Sequence, residues 1–125
     1  MEVFVYGTLT DPARVDALLD SWSFGPHARL HGLRRVEGRY PTLAPGDSVG
    51  GRILQTPEID RLDEYEGVAS GLYVRVELPG EGVSLYVGRP GRLGIVERVR
   101  WPGEGSFEER VGEYLADEVG LDRRG

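Results

Sequence analysis

The chain has 125 residues, enough for one domain that buries about two thirds of its unfolded surface. Its 21 acidic side chains outnumber 15 basic ones, for a formal charge of −6; every base is Arg, and Lys, Cys and Asn are absent. These absences exclude thiol nucleophiles, disulfides, thiolate zinc sites and imine-forming or phosphate-loop lysines, and the acid excess speaks against a nucleic-acid surface.

No run approaches the ~18 apolar residues of a membrane span, and the chain opens without a charged and apolar leader. A soluble, cytoplasmic protein with no membrane or nucleic-acid partner is expected. The 19 Gly and 8 Pro predict frequent turns and short strands.

Val3–Tyr6 is a continuous apolar and aromatic run, read as a buried strand, and Gly7-Thr8-Leu9 as a short loop after it. Asp11-Pro12 signals a helix start. Val15, Leu18, Leu19 and Trp22 then form one apolar face, and a loop at Gly25-Pro26 ends that helix. Residues 28–40 predict one or two strands, broken by Tyr40-Pro41. Gly46–Gly50 is expected to turn, and Gly51–Gln55 to form a strand. Thr56-Pro57-Glu58 opens a second helix, with Thr56 as its cap.

Leu72–Leu78 alternates apolar and polar positions, and Val83, Leu85 and Val87 repeat the pattern with Tyr86 opposite. With the Gly80–Gly82 turn, these predict a hairpin. Residues 88–105 carry no clear pattern. Ser106 with Glu109 forms a capping box for a terminal helix over about 106–119, and residues 122–125 are expected to fray.

The second helix, read over residues 57–66, carries an unusual carboxylate. With about 100° between neighbours and Ile59 at zero, Leu62 falls at about 300° and Glu66 at about 340°, which places Glu66 between the two apolar side chains. Glu64 falls on the solvated side, and Asp63 is borderline at about 40°. An inward carboxylate is costly unless partnered, and burial raises its pKa into the range of a general acid or base. The alternative is that Gly67 ends the helix and Glu66 turns into solvent.

The Tyr6–Leu9 loop has two readings as well. Free backbone N–H groups there suit a carboxylate or an oxyanion, and Gly7 permits close approach. A plain strand-to-helix turn with nothing bound fits the same residues.

Two other motifs carry little. Gly46-Asp47-Ser48-Val49-Gly50 matches the G-x-S-x-G elbow, but a Pro-Gly turn precedes it, a strand follows, and both histidines lie upstream. His27 and His31 share a strand face but lack a third ligand, so no metal is expected. Trp22 and Trp101 read as packing anchors.

Several segments together resemble the γ-glutamylcyclotransferase-like family, which includes AIG2-like proteins and γ-glutamylamine cyclotransferases. Val3-Phe4-Val5-Tyr6-Gly7-Thr8-Leu9 is similar to its N-terminal signature, Gly38–Leu43 to "G-x-Y-P-x-L", and Val49-Gly50-Gly51 to "V-x-G". Leu62–Gly67 resembles "L-D-x-[FY]-E-G", Leu72–Val76 the "Y-x-R" strand, and Leu85-Tyr86-Val87 a later tyrosine strand. The resemblance covers about residues 3–88; the tail from about 95 lies outside it.

That resemblance implies an α+β fold: a small mixed β-barrel with a few short flanking helices, as one domain over residues 1–125. It implies Glu66 as the catalytic acid/base, with Tyr6, Gly7, Thr8 and Leu9, and less directly Tyr86, binding a γ-glutamyl substrate. The implied reaction closes 5-oxoproline and releases an amine, with no metal or cofactor. The other reading is a non-catalytic AIG2-like module that binds a small γ-glutamyl-like ligand or a protein partner. The protein is expected to be a monomer or a homodimer.

Overall fold

In the computed structural model, which describes residues 1–124, six strands form one mixed sheet in the order β4-β5-β1-β3-β2-β6. Strand β1 (Glu2–Val5) runs antiparallel to β3 (Thr42–Gln55) and parallel to β5 (Val83–Gly88). Strand β2 (Ser23–Val36) lies antiparallel between β3 and β6 (Gly120–Arg124). At the other edge, β4 (Tyr73–Leu78) pairs with β5 as the predicted hairpin. The flanking helices are α1 (Pro12–Leu18), α2 (Ile59–Tyr65), α3 (Pro90–Leu93) and α4 (Phe107–Glu118). None of them is long and apolar enough to cross a membrane.

The sheet is open, which corrects the expected barrel. Strands β4 and β6 are its edges, and no ladder joins them among the described residues. Helix α4 packs on β4 and hands the chain to β6 at the opposite edge. Arg123 of β6 then reaches the Glu81 carbonyl in the β4–β5 turn (3.2 Å) and the Glu2 carboxylate (3.1 Å). A helix and one long side chain thus stand where closure needs backbone hydrogen bonds.

Two of the three expected caps hold, those at Asp11 and Ser106. Asp11 accepts from the Ala13 N–H at 3.0 Å with Pro12 in the first turn. Ser106 and Glu109 form the reciprocal capping box of α4, which buries Val111 and Leu115. The strand boundaries differ from expectation. Helix α1 stops at Leu18, and Trp22 instead packs edge-on against Phe24, ring centroids 5.2 Å apart. Gly25-Pro26 is no loop but sits inside β2, at the register shift between Phe24 and His27. A bulge tolerates a residue with no N–H to donate.

Residues 28–36 belong to this same strand, and 46–50 lie within β3 rather than in a turn. Ser48 therefore sits mid-strand, accepting from Arg29 at 3.0 Å, which is no nucleophile elbow. Residues 122–124, expected to fray, pair with β2; Gly125 lies outside the described residues.

The core lies along the centre of the sheet: Val3, Phe4 and Val5 of β1, Ile53 and Leu54 of β3, and Leu85 of β5 are all buried. One close approach fixes where β1 ends. A Cβ on Gly51 of β3 would stand 2.2 Å from the Val5 carbonyl oxygen and 2.7 Å from Phe4 Cζ. Backbone cannot yield as a flexible side chain can. We therefore expect Gly51→Ala to lower unfolding free energy by about 1–3 kcal/mol in urea denaturation. The control Gly91→Ala, where a Cβ meets nothing within 4 Å, should stay near neutral.

Candidate active site

A cavity of about 360 Å³ opens where the end of β1 meets the end of α2 and the β4–β5 hairpin. Its floor is Phe4 and Val5, with the Tyr6–Leu9 loop on one side and Tyr65 and Glu66 on another. Leu72 and Tyr73 from the hairpin's start, Tyr86 of β5, and Tyr40-Pro41 ahead of β3 complete the wall, with Arg14 of α1 at the rim. The five residues expected at the site beside Glu66 (Tyr6, Gly7, Thr8, Leu9 and Tyr86) all line this one cavity.

Residues Thr8–Thr10 form a single 3₁₀ turn. Its hydrogen bonds run from Thr10 N–H to the Gly7 carbonyl (3.0 Å) and from Asp11 N–H to the Thr8 carbonyl (3.2 Å). The N–H groups of Gly7, Thr8 and Leu9 have no partner among the described residues. Arg35 secures the loop from behind by donating to the Tyr6 carbonyl at 2.8 Å.

Helix α2 is shorter than the sequence implies. Glu58, not Thr56, is its N-cap residue, and Thr56 instead accepts from the Glu58 N–H (3.1 Å) while donating to the Ser21 carbonyl (2.7 Å). At the other end Glu66 is the C-cap, with φ −81° and ψ −4°, and its N–H still bonds the Leu62 carbonyl at 2.9 Å. Gly67 follows at φ +68° and reverses the chain. Glu66 thus keeps the helical heading for one residue past the helix. Gly67 does stop the helix, yet the carboxylate lines the cavity.

Among the described residues nothing donates to that carboxylate or pairs with it. Burial alone pushes its pKa up from 4.5 to about 7.

The nearby tyrosines are already committed. Tyr6 donates to the Tyr86 carbonyl at 2.6 Å, Tyr73 to the Pro41 carbonyl, and Tyr65 shares a 3.0 Å hydrogen bond with Thr8. Tyr86, expected to face a ligand, gives its hydroxyl to Asp63 at 2.6 Å. Burial raises Tyr6, Tyr73 and Tyr86 far above the ordinary phenol range, reinforced at Tyr6 and Tyr73 by neighbouring negative charge that includes Glu66, and at Tyr86 by the hydrogen bond to Asp63 and its charge. They stay protonated near neutrality and cannot act as bases there, whereas burial brings the Glu66 carboxyl up to about 7.

Sequence reasoning left Asp63 as borderline and did not single out Arg75. Arg75 of β4 forks onto Asp63 with two bonds, 2.9 and 3.2 Å. The polar face of β4 and the wheel angle of Asp63 were the available signals, but only the fold brings them together. Arg14 was also missed: it is the one cation lining the cavity, and its guanidinium makes no hydrogen bond or ion pair among the described residues. His27 and His31 are exposed on β2, and no cluster of three potential metal-binding side chains occurs among the described residues.

Residues 3–92 match the sequence profile of the family described as gamma-glutamyl cyclotransferase, AIG2-like, and the chain belongs to that family. Protein AIG2 A of Arabidopsis thaliana is 34% identical over 79 residues, which make up 59% of this chain and 46% of that protein. AIG2-like protein A of the same plant is also 34% identical, over 59% of this chain and 48% of its own. The chain spans about half the length of these curated relatives.

A solved structure of a gamma-glutamyl cyclotransferase shares the fold, with TM-score 0.62 and 21% identity over 91% of this chain and 97% of that one. A solution structure from Arabidopsis thaliana has TM-score 0.53 and 28% identity, covering 86% of this chain and 78% of that one.

A carboxyl whose pKa is raised on folding destabilises the fold as it ionises. Below about pH 4.5 Glu66 is protonated in both states and contributes nothing. Between 4.5 and about 7 the unfolded chain releases the proton while the folded one keeps it, so stability falls as pH rises; above 7 the cost is complete. The span from 4.5 to about 7 is worth roughly 3 kcal/mol. Glu66→Gln removes that cost. Its stability relative to wild type should climb by up to about 3 kcal/mol between pH 4.5 and 7 in urea titrations, then level off.

Proposed function

We propose that this chain is an enzyme that cyclises a γ-glutamyl amine or γ-glutamyl amino acid to 5-oxoproline and releases the amine. The supporting observation is the Glu66 carboxylate, unpartnered and raised to about 7, lining the same cavity as the loop with free N–H groups. Family membership supports the same reading.

The reaction is intramolecular. Glu66 takes a proton from the substrate's α-ammonium, since only the neutral amine is a nucleophile. That nitrogen attacks the γ-carbonyl carbon, forming the ring C–N bond and placing negative charge on the carbonyl oxygen, and its surplus proton then passes to solvent. As the tetrahedral centre collapses, the bond to the departing nitrogen breaks, and Glu66 returns its proton there. The carboxyl ends as it began, and the sum is one γ-glutamyl amide with a protonated α-amine converted to 5-oxoproline, an amine and one proton, which the free amine or solvent takes up.

A pKa near 7 suits a group that must both accept and give up a proton in one turnover. The N–H groups of Gly7, Thr8 and Leu9 supply donors for the α-carboxylate or the developing oxyanion. Arg14 at the rim adds positive charge for a substrate carboxylate. Tyr65 and Tyr73 crowd the substrate into the folded conformation that brings its ends together. The identity of the amine is decided at the rim, by Arg14 and the exposed Tyr40.

Release of 5-oxoproline from a panel of γ-glutamyl amines and γ-glutamyl amino acids tests this reading. Wild type should turn over at least one member, and Glu66→Gln should lose about 10²–10⁴-fold in kcat while remaining folded. Ligand binding without turnover of any member would favour a binding module instead.

A further inference from the structure

Asp63 stands three residues before Glu66 but takes no part in the reaction described above. Its side chain is nonetheless the most heavily bonded carboxylate beside the cavity. It receives both nitrogens of the Arg75 fork (2.9 and 3.2 Å) and the Tyr86 hydroxyl (2.6 Å). Its main-chain carbonyl accepts from the Val68 N–H at 3.0 Å, so the same residue ties the chain on the far side of Glu66.

Tyr86 lines the cavity together with Glu66 and feels its charge. A phenol free to rotate beside an unpartnered carboxylate would donate to it, because a hydrogen bond to a charged acceptor is worth about 1.5–3 kcal/mol. In this structure Asp63 already holds that proton. We propose that Asp63 is a positioning residue for the candidate base: anchored by Arg75, it takes the Tyr86 hydroxyl to itself and so keeps that donor off the Glu66 carboxylate.

The inference rests on Glu66 being the base, and its consequence is chemical. A carboxylate that accepts a hydrogen bond is stabilised in its charged form and becomes a weaker base. Withholding the donor leaves burial as the influence that sets Glu66 near 7. The other groups facing it are accounted for. Tyr6 of β1 and Tyr73 of β4 are bonded to carbonyls, and Tyr65 of α2 to Thr8. Arg14 of α1 and Tyr40 stand at the exposed rim. Arg75 is spent on Asp63. Of the committed hydroxyls, Tyr86 is the one held by an ionisable side chain.

The test is a direct titration of the Glu66 carboxyl by carbon-13 NMR in four chains, which reads the group whether or not the protein turns over any substrate. Asp63→Ala should lower the Glu66 midpoint by about one pH unit or more, as Tyr86 turns to it. Asp63→Asn, whose amide oxygen still accepts the phenol, should stay close to wild type. The double variant Asp63→Ala/Tyr86→Phe should return to the wild-type midpoint. An unshifted midpoint in Asp63→Ala, or a shift that persists in the double variant, would overturn the proposal. A merely structural role for Asp63 predicts that persistence.

Should the alanine variant fail to fold, the wild-type Tyr86 hydroxyl proton decides the matter. It should keep its hydrogen-bonded shift as Glu66 titrates, and transfer of that bond to ionised Glu66 would refute the assignment. Failure of the 5-oxoproline assay would instead strike the proposed reaction and leave this titration intact.

Discussion

One uncompensated desolvation organises this molecule: the Glu66 carboxylate is turned into an aromatic cavity with no hydrogen-bond donor to it among the described residues. The cost, roughly 3 kcal/mol when Glu66 is ionised, is a sizeable share of the stability of a small domain. It persists because the surroundings are over-determined. Leu62 is fully buried one turn earlier, Asp63 is forked to Arg75, and Gly67 at φ +68° fixes the way out. Around the carboxylate the hydroxyls of Tyr6, Tyr65, Tyr73 and Tyr86 are bonded to carbonyls, to Thr8 or to Asp63, and Tyr40 is exposed at the rim. The cavity thus has polar walls whose polarity is already satisfied, which leaves Glu66 and the loop N–H groups with capacity to spare.

The elements that deliver these groups are local in origin but meet through the sheet. Strand β1 carries the loop, and its end is set by the contact at Gly51. Strand β5 runs parallel beside it and brings Tyr86 under Tyr6, whose hydroxyl bonds the Tyr86 carbonyl. The β4–β5 hairpin brings Arg75 to the C-terminal turn of α2. The segment beyond the family match, residues 93–124, contributes nothing to the cavity lining. It buttresses the sheet instead. Trp101 packs edge-on against Phe107 and Tyr114, Tyr114 bonds the Gly32 carbonyl at 2.6 Å, and β6 adds the last strand.

What could be read from the sequence was whatever depends on near neighbours. The caps at Asp11 and Ser106 and the β4–β5 hairpin are local physics, and all three stand, although β5 is buried at every position and shows no in–out alternation. The inward heading of Glu66 followed from helical geometry even though α2 ends one residue before it. The long strands were not readable, because β2 carries two register shifts and each reverses the in–out alternation that a strand pattern relies on. Closure was not readable either: whether edges pair depends on α4 and on Arg123 meeting Glu81, 42 residues away. Asp63 sat at an ambiguous wheel angle, and its partners lie 12 and 23 residues downstream, so its role exists only in the folded chain.

The central claim is that the proton-transfer group of this cavity is Glu66, raised by burial and left without a donor. The most direct measurement is the pH dependence of kcat/KM for 5-oxoproline formation, which reports ionisations in the free enzyme. The account predicts an acid limb with a midpoint of about 7 that disappears in Glu66→Gln along with the activity. A limb near the ordinary glutamate value of 4.5, or one that survives the substitution at full rate, would contradict it.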